Sequence, residues 1–574
     1  MSNDNELTDV LRFDTIIAKG GKNMNKRAID YALNAPTGGV SLTGGRFLRA
    51  FENNIAFLKG FDVNRMLYWF RVHAGKPAPG APYAAGDGHF ENNLHGQTAG
   101  EFLMGAGATL WWREDRALRE KVRAVISELN QYREPDGFLL PVDRDTFLTR
   151  EYPNYTRAWL TFGLLDAGAA GEADAYRLAR GMGDAFNESE VLPYVKDLNL
   201  GFQGILANTR LYDSPVGVEK DIEIAMRYYQ EDWWLDWLIR RRQRAIYMHP
   251  GNHPHSTLLT SLEGYLDLYR FTGKARYLSA VKNALSMYEE KWQHVGGGIN
   301  MCENDAYYPG CNWLSPNHNY NELCSTNFWV LLNQRMHLLE PDDAHYVDEM
   351  ENSLYNVLLA AQVGSRGYHY LNFLQRTKDW RYLDRATCCA ALGCRLTALL
   401  PQFLYSYSED TVSVDIYAPS VAHLPNGAAI EVETELPDGE NTIVRVLETA
   451  KPITLKLRIP RWTEGGGRYE IHENVRAGAE FRLRFPMRFR ATKYTGGEEI
   501  AGKERWAIER GPLLYAALGA PNPLTLRFNP ESADEWLIPE GNRLCIRGDD
   551  CHEYRAYLDI DDEPFDVYPI VERG

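Results

Sequence analysis

The cysteines of this chain are crowded into one short stretch, ATCCAALGC at residues 386–394, which holds three of the eight. Two of the three, Cys388 and Cys389, are adjacent. A disulfide, a metal site or a catalytic nucleophile would each explain such crowding. A bond between adjacent cysteines closes a small strained ring, so the disulfide is the least favoured of the three explanations.

A second motif, Glu322-Leu323-Cys324, offers a carboxylate and a thiol two residues apart. Zinc takes thiolate and carboxylate ligands in a tetrahedron, and two short clusters joined by a long connection commonly supply all four. In an extended segment, residues two apart can face one point. Cys388 and Cys389 can share a metal only from a turn or a helix start. This spacing is less diagnostic than a paired CxxC motif, so buried free cysteines are the alternative.

A metal-bound thiol would stay ionised at neutral pH, and the thiolate is the form that attacks an electrophilic carbon. A neighbouring carboxylic acid could protonate the leaving group and then activate water, which is the retaining glycosidase scheme with sulfur as nucleophile. Glu303 and Asp305, in the loop before Glu322, are the carboxylic acids that the sequence offers for this role. Each of them, taken alone, is more typical of a solvated loop charge.

The elements that must position these residues are helices in pairs. Segment 261–290 shows apolar residues at helical spacing, a break at Gly273 and a second apolar series. Looser copies lie at 101–130, 155–186 and 325–362. Repeated helical hairpins, closed into a ring, predict an α/α barrel over residues 1–410 with loops at one end forming a cleft.

Near residue 410 the periodicity changes from helical to alternating. In ITLKLRIP, at 453–460, apolar and polar residues alternate as they do in a strand. Turn signals such as LPDGEN separate short segments of this kind. These features predict an antiparallel β-sandwich over residues 411–525. The less regular residues 526–574 are predicted to be a C-terminal extension that packs on the sandwich or the barrel. The expected fold class is therefore multidomain α + β.

Charge and composition exclude several classes of partner. The chain has 574 residues, with 62 basic against 78 acidic residues and a net charge of −16. Such a charge repels phosphate backbones and anionic lipids, which disfavours nucleic-acid and membrane partners. No segment reaches the ~18 apolar residues of a membrane span, and the first residues lack the pattern of a secretory signal. The sequence as given therefore predicts a cytoplasmic protein, and it is compatible with a homo-oligomer.

Residues 296–335 together with 388–389 resemble the zinc-thiolate glycosidases of the β-L-arabinofuranosidase type, glycoside hydrolase family 127 and its relatives. The shared features are a Gly-rich loop, Gly296–Gly298, that leads to Glu303, then Tyr320-Asn321-Glu322-Leu323-Cys324, then the Cys388-Cys389 pair. Similarity extends to the segments FLRAFENN, HPHSTLLTSLEGY and ERGPLLYAA, and so along most of the chain.

This resemblance implies an (α/α)6 barrel followed by a β-sandwich, and an exo-acting retaining glycosidase that releases a terminal sugar from plant or microbial glycans. It also implies Zn2+ as the cofactor and a carbohydrate as the partner. The implied catalytic residues are Cys388 as nucleophile and Glu303 as general acid/base. The implied zinc ligands are Glu322, Cys324, Cys388 and Cys389, and the implied substrate-binding residues are His255, Gln97, Glu101 and Tyr320.

The chain departs from the family pattern at several positions. Ala390 stands where a proline usually follows the Cys-Cys pair, and Gln97, Glu101 and Ala158 stand where many members have histidines. A furanose, a pyranose or a carboxylated sugar is therefore compatible with the sequence. Two other functions stay open: a barrel-type sugar epimerase or polysaccharide lyase, and a non-catalytic carbohydrate-binding protein with a structural zinc.

Overall fold

The computed structural model describes residues 27–83, 95–144, 151–189, 201–228, 232–247, 255–299, 320–378, 380, 383, 386–495, 503–519, 524–541, 543–548 and 551–573. The longer helices of these ranges are α1 (Gly45–Lys59), α2 (Gln97–Trp112), α3 (Arg116–Tyr132), α4 (Glu151–Ala169), α5 (Ala173–Asn187), α6 (Gly201–Tyr212), α7 (Glu219–Tyr228), α8 (Asp232–Ile239), α9 (His255–Thr272), α10 (Ala275–Lys291), α11 (Leu323–Leu339), α12 (His345–Ser353) and α13 (Cys388–Ala398).

Six of these helices contact one another in a closed cycle, and we call them the inner helices. Their order around the cycle is α2, α4, α6, α9, α11 and α13, with α13 packing back on α2. Most of the other helices lie outside this set, each against an inner neighbour, as α3 does on α2 and α10 on α9. The predicted break at Gly273 is found between α9 and α10, where this glycine has a φ of 69°. The cycle brings the first turns of the inner helices to one end of the helical region.

Small residues set the distance between the inner helices α2 and α4. A Cβ added at Gly100 would lie 2.7 Å from backbone atoms of Trp159 and Leu160. On the facing helix, a Cβ added at Gly163 would lie 2.3 Å from the carbonyl oxygen of Gly100. The sequence of α2 is apolar or small nearly all round, as expected for a helix that is buried on every side. Glycine at this crossing therefore allows the two backbones to touch.

The strands lie mainly after residue 404. They are β1 (Val40–Leu42), β2 (Tyr320–Glu322), β3 (Leu371–Phe373), β4 (Gln375–Arg376), β5 (Tyr405–Tyr407), β6 (Thr411–Val414), β7 (Ser420–His423), β8 (Ala429–Thr434), β9 (Asn441–Glu448), β10 (Ile453–Ile459), β11 (Arg468–Val475), β12 (Glu480–Arg484), β13 (Phe489–Lys493), β14 (Glu504–Arg510), β15 (Leu513–Leu518), β16 (Thr525–Arg527), β17 (Leu537–Glu540), β18 (Arg543–Ile546), β19 (Cys551–Ala556), β20 (Phe565–Asp566) and β21 (Ile570–Glu572).

Two sheets follow the helical region directly. One has the order β1-β7-β8-β9-β12 and the other the order β11-β10-β6-β5. The expectation of purely antiparallel pairing is wrong for one pair, because β6 and β10 run parallel. The reason is topological: the chain between them passes through β7, β8 and β9 of the other sheet before it returns, and such a crossover brings a strand back in the same direction.

A third sheet of ten strands contains β13 to β21, together with β4 from the helical region. Residues after 526, which the sequence left without a definite structure, supply β17 to β21 of this sheet and pair with β14 and β15. Asn356, in the π-helical turn Leu354–Leu359 that continues α12, donates to the carbonyl oxygen of Pro512 and accepts from the backbone N–H of Leu514. The mixture of helices with a β-rich C-terminal region confirms the predicted α + β class.

One disulfide occurs among the described residues. It joins Cys545 and Cys551, which stand directly opposite each other in the antiparallel pair β18–β19. Cys324, Cys388, Cys389 and Cys394 are free thiols. In the described ranges, no helix combines the length and the apolar character that crossing a lipid bilayer requires.

Candidate active site

Four side chains from two distant segments meet at one end of the helical region. The ligand-type atoms of Glu322, Cys324, Cys388 and Cys389 all lie within 4.8 Å of one another. The sulfurs of Cys324 and Cys389 are 3.1 Å apart. The two sequence motifs therefore form one cluster, as the zinc hypothesis required.

The local structure explains how two adjacent cysteines reach the same point. Helix α13 begins at Cys388, and the Thr387 hydroxyl oxygen accepts the backbone N–H of Ala390 at 3.1 Å as the N-cap. In the first turn of a helix, consecutive side chains fan out around the axis instead of pointing to opposite sides as in a strand. The pair therefore lies at a helix start, one of the two settings in which the sequence argument allowed adjacent cysteines to share a metal.

The second segment makes a similar transition. Glu322 is the last residue of β2 and the N-cap of α11, and Cys324 lies in the first turn of that helix. The hydroxyl of Ser325 donates to a carboxylate oxygen of Glu322 at 2.5 Å, which fixes the orientation of that carboxylate. Strand β2 pairs with β3, so the backbone of Glu322 is fixed by this strand pairing before it and by helix α11 after it.

Cys388 differs from the other cysteines of the cluster in its exposure. Cys324 and Cys389 are buried, whereas Cys388 is only partly buried, so Cys388 is the cysteine of the cluster that retains exposed surface. Hydrogen bonds from Cys324 and Cys389 hold the pKa of the Cys388 thiol well below its usual value. Burial raises the pKa of Cys324 and of Cys389. In this arrangement Cys388 is the cysteine that most readily carries the negative charge.

The donor set of the cluster fits zinc. Three sulfurs and one carboxylate are the soft and borderline ligands that this ion takes in a tetrahedron. A structural site has all of its ligands closed off from solvent, whereas here one of the four residues, Cys388, is only partly buried. Cys394, two turns further along α13, is buried and lies against Gly105 of α2, so it packs between helices, as expected.

Two of the predicted substrate-binding residues lie in the first turns of α2, which packs against α13. Gln97 opens α2, and its side-chain amide donates to the carboxyl group of Glu101 one turn later at 2.6 Å. Both side chains are at most 2% exposed. Burial, followed by the negative charge of Cys388, raises the pKa of Glu101 well above its usual value. Glu101 is therefore close enough to Cys388 for their charges to interact.

The other predicted residues are placed to different degrees. Tyr320 is the first residue of β2, on the same side of the strand as Glu322, and it packs edge-on against Phe373 of β3 at 5.5 Å between ring centroids. His255 is the first residue of α9, so its backbone lies at the start of an inner helix, but its side chain is outside the described residues. Glu303 also lies outside the described residues.

Two tyrosines at the site were missed by the sequence reasoning. The hydroxyl of Tyr370 lies 3.7 Å from the sulfur of Cys388. Tyr155, in the first part of α4, is near enough for the charge of Cys388 to raise the pKa of its hydroxyl, after the larger effect of burial. The signal that could have found Tyr155 is its position near the start of an inner helix, which it shares with Gln97, Cys324 and Cys388.

Comparison with known families found two matching family models. The model described as the catalytic domain of the β-L-arabinofuranosidases, GH127, matches residues 39–402. The model described as the GH127 middle domain matches residues 411–487. The comparison with curated proteins found no relative of the chain.

Solved structures with a similar fold include two of the same family. A GH127 β-arabinofuranosidase has a TM-score of 0.73 at 19% identity, over 94% of this chain and 98% of the other. A GH127 β-L-arabinofuranosidase from Geobacillus stearothermophilus T6 has a TM-score of 0.72 at 18% identity, over 93% of this chain and 100% of the other. A protein named only as a glycoside hydrolase has a TM-score of 0.71 at 16% identity, over 95% and 98%.

Proposed function

The chain belongs to glycoside hydrolase family 127 and is a glycoside hydrolase, and from this premise we propose that it releases a terminal sugar with retention, using Cys388 as nucleophile. The observation that carries the proposal is the cluster of Glu322, Cys324, Cys388 and Cys389, in which Cys388 alone is partly exposed. The closed cycle of six inner helices supports the further proposal that the catalytic region is an (α/α)6 barrel with this cluster at one end.

In the first step, the sulfur of Cys388 attacks the anomeric carbon while the bond from that carbon to the leaving oxygen breaks. Glu303, assigned by its place in the family motif, gives its proton to the leaving oxygen. In the second step, water attacks the same carbon, the electron pair of the carbon–sulfur bond returns to Cys388, and Glu303 takes a proton from the water. Two displacements at one carbon retain its configuration.

Glu322, Cys324, Cys388 and Cys389 would hold the zinc ion. When bound, the ion supplies positive charge that keeps the sulfur of Cys388 ionised and makes it a better leaving group. The Tyr155 and Tyr370 hydroxyls lie where they can hydrogen-bond the same sulfur. His255, Gln97, Glu101 and Tyr320 are proposed to line the pocket for the sugar, and the β-L-arabinofuranose named for the relatives is the first sugar to test.

The experiment is a hydrolysis screen with 4-nitrophenyl furanosides and pyranosides, combined with metal analysis of the purified enzyme. We expect one zinc per chain, retention of configuration by NMR, and a loss of at least ~10³-fold in kcat/KM for Cys388→Ser and for Glu303→Gln. Cys394→Ser, on the same helix but outside the cluster, is the matched control and should leave kcat/KM unchanged. Full turnover by Cys388→Ser would overturn the proposal.

A further inference from the structure

The glycine-rich loop of the family motif is held on one side by the third sheet. The backbone N–H of Val295, just before the glycines, donates to the hydroxyl oxygen of Tyr568 at 3.1 Å. A Cβ added at Gly296 would lie 3.1 Å from the side chains of Leu514 in β15 and of Asn356 in the π-helical turn. Contacts this short leave little room for a side chain, so the loop lies directly against both elements.

On its other side the loop packs against α12 and β2. A Cβ added at Gly297 would lie 2.6 Å from the hydroxyl oxygen of Ser353, the last residue of α12, and this hydroxyl donates to the Gly297 carbonyl oxygen at 2.9 Å. A Cβ added at Gly298 would lie 2.1 Å from the Cγ atom of Asn321 in β2. Gly297 also has a φ of 83°, which residues with a Cβ rarely adopt. The loop therefore fits between these elements because its residues have no side chains.

The same loop leads directly to the cluster of metal-ligand type residues. Ile299, the residue after the glycines, accepts the backbone N–H of Glu322 with its carbonyl oxygen at 3.0 Å. The backbone of Glu322 is therefore fixed by Ile299 as well as by the pairing of β2 with β3. Glu303 follows Ile299 by four residues in the sequence. The position of the loop thus bears on one proposed zinc ligand and, along the chain, on the proposed acid/base.

Asn356 joins this arrangement to the third sheet. Its amide nitrogen donates to the carbonyl oxygen of Pro512 at 2.9 Å, and its amide oxygen accepts the backbone N–H of Leu514 at 2.8 Å. Asn356 is 1% exposed, so both bonds are shielded from water. It lies in a π-helical turn, a feature found frequently at functional sites. Asn356 thus binds the turn between β14 and β15, whose motif ERGPLLYAA has no part in the chemistry proposed above.

We propose that Asn356 and Tyr568 are positioning residues for catalysis: they hold the glycine-rich loop on the third sheet, and the loop fixes the backbone of Glu322. The same loop begins the segment that carries Glu303, so the position of the acid/base depends on it too. This inference rests on the proposed function, because it requires Glu322 to be a zinc ligand and Glu303 to be the acid/base. It assigns the C-terminal sheet a role in the rate of the reaction, beyond its part in the fold.

The first test uses two variants that loosen the loop from the third sheet. Asn356→Leu keeps the size of the side chain and removes both of its hydrogen bonds to the sheet, whereas Tyr568→Phe removes only the hydroxyl that accepts the N–H of Val295. A misplacement of ~1 Å caused by a distant mutation can lower a rate ~10²-fold. On the 4-nitrophenyl glycoside that the wild type cleaves best, kcat should fall at least ~10-fold for Asn356→Leu and less for Tyr568→Phe, with KM nearly unchanged.

Asn187→Leu and Tyr417→Phe are the matched controls. Asn187 is a buried residue of α5 whose amide nitrogen donates to Asp221 at 2.6 Å and whose amide oxygen accepts from Asn208 at 3.2 Å. Tyr417 is fully buried, and its hydroxyl donates to the carbonyl oxygen of Arg458 at 2.8 Å. Because these bonds do not involve the loop, both controls should lower the midpoint of thermal unfolding and keep the wild-type kcat. An equal fall in kcat for controls and test variants would show that the rate follows stability, and would overturn the inference.

The second test observes the metal site itself in enzyme reconstituted with Co2+, whose visible absorption bands depend on the geometry of its ligands. A loop that holds Glu322 should change that geometry when it is loosened. We therefore expect the bands of Asn356→Leu to differ from those of the wild type, and the bands of Asn187→Leu to be unchanged. Wild-type kcat together with wild-type bands in Asn356→Leu and Tyr568→Phe would contradict the inference.

A fall in kcat with unchanged bands would mean that the loop acts through Glu303. The loss should then be larger on the methyl glycoside than on the 4-nitrophenyl glycoside of the same sugar, because a methoxide leaving group depends more on protonation. Equal losses on both substrates, with unchanged bands, would overturn the inference. If Cys388→Ser keeps full turnover, the proposed function fails, whereas wild-type kcat in Asn356→Leu and Tyr568→Phe removes only this inference.

Discussion

At the scale of single residues, the chemistry depends on small differences between cysteines that look alike in the sequence. Cys388 and Cys389 are neighbours, yet one is partly exposed with a lowered pKa and the other is fully buried with a raised pKa. The difference arises from the first turn of α13, which directs the two sulfurs to different surroundings. The Tyr370 hydroxyl lies 3.7 Å from the sulfur of Cys388, and the charge of Cys388 helps to raise the pKa of Tyr155.

We expect the Tyr155 hydroxyl to hydrogen-bond the sulfur of Cys388 in the working enzyme, and Tyr155→Phe removes that hydroxyl. A hydrogen bond to a charged group contributes about 1.5–3 kcal/mol, so we expect kcat to fall by ~10- to 100-fold while the fold is kept. Steady-state kinetics and the rate of Cys388 alkylation by iodoacetamide measure the effect. Tyr554→Phe, which removes the hydroxyl of a buried tyrosine in β19, is the control. Equal rates in Tyr155→Phe and wild type would show that the contact is not used.

The buried amine of Lys378 leads us to expect that the stability of the fold depends on pH. Burial lowers the pKa of this amine to about 7, while its ammonium group donates to the carbonyl oxygen of Ala360 at 2.8 Å and lies over the ring of Tyr557. The unfolded chain keeps the usual pKa near ~10.4. Between these values the unfolded state binds more protons, so the contribution of Lys378 to stability rises with pH, by up to ~1.4 kcal/mol per pH unit.

Urea unfolding at pH 7.5 and 9.5 tests this, with Lys378→Met as the comparison. The free energy of unfolding of the wild type, measured relative to the variant, should increase between the two pH values. A difference between the proteins that does not change with pH would contradict the expected shift. The same relative stability should level off below pH ~7, where the amine is protonated in both states.

The residues of the site were predictable to different extents for physical reasons. The family motif singled out Glu322, Cys324, Cys388 and Cys389 as a cluster, whereas their spacing alone was also compatible with buried free cysteines. Tyr155 and Tyr370 come from separate segments, and no local pattern distinguishes them from the other tyrosines of the chain. Their role appears only when tertiary packing brings three segments together.

At the scale of elements, the glycine crossing of α2 and α4 sets the distance between Glu101 and Tyr155. Gly100→Ala places a methyl group 2.7 Å from the backbone of α4, where it cannot be accommodated without separating the helices. We expect a loss of about 1–3 kcal/mol in stability, together with a fall in kcat because both residues move away from Cys388. Gly38→Ala, whose added Cβ would have its nearest neighbour at 3.9 Å, should be neutral.

Urea unfolding and kinetics on the same preparations measure both effects of Gly100→Ala. Wild-type stability in this variant would show that the crossing is not tight. The helices themselves were readable from apolar periodicity, as the break at Gly273 between α9 and α10 shows. The closeness of α2 and α4 was not readable, because small residues in a helix also occur without such a contact.

In β10 the sequence was only partly informative. The alternation of Ile453, Leu455 and Leu457 with polar residues is found, and these three side chains are buried. However, Lys456 and Arg458 on the opposite face are buried as well, because that face does not meet solvent. Arg458 forms ion pairs with Asp348 and Glu351 of α12. An alternating pattern indicates two different faces, but it does not reveal what covers the polar one.

At the scale of the whole molecule, Arg458 joins the sheet region to the helical region. Arg458→Met would leave Asp348 and Glu351 buried without their cation, which costs about 3–5 kcal/mol when one partner of a buried pair is removed. We expect a large fall in the unfolding free energy, measured by urea unfolding. Arg445→Met, which removes a cation from ion pairs on the surface, should have little effect. A similar fall for both variants would argue against a special role of Arg458.

The long-range pairing of strands was beyond the sequence argument. Strand β4 from the helical region pairs with β20 near the end of the chain, and β16 pairs with β21 in parallel. Such partners are brought together by tertiary packing, and the local pattern of a strand of two or three residues does not specify them. The change from helical to alternating periodicity near residue 410 was readable because it repeats over many residues.

The two chemical states of cysteine in this chain set opposite demands on how the protein is handled. The thiols of Cys324 and Cys389 lie in contact and need a reductant to stay reduced when no metal protects them, whereas the same reagent opens the Cys545–Cys551 bridge of the β18–β19 hairpin. A reductant that keeps the site thiols free therefore removes a covalent link from the third sheet. For activity measurements, a weak reductant that does not bind metal ions keeps Cys324 and Cys389 reduced. For unfolding measurements, a buffer without reductant keeps the Cys545–Cys551 bridge closed.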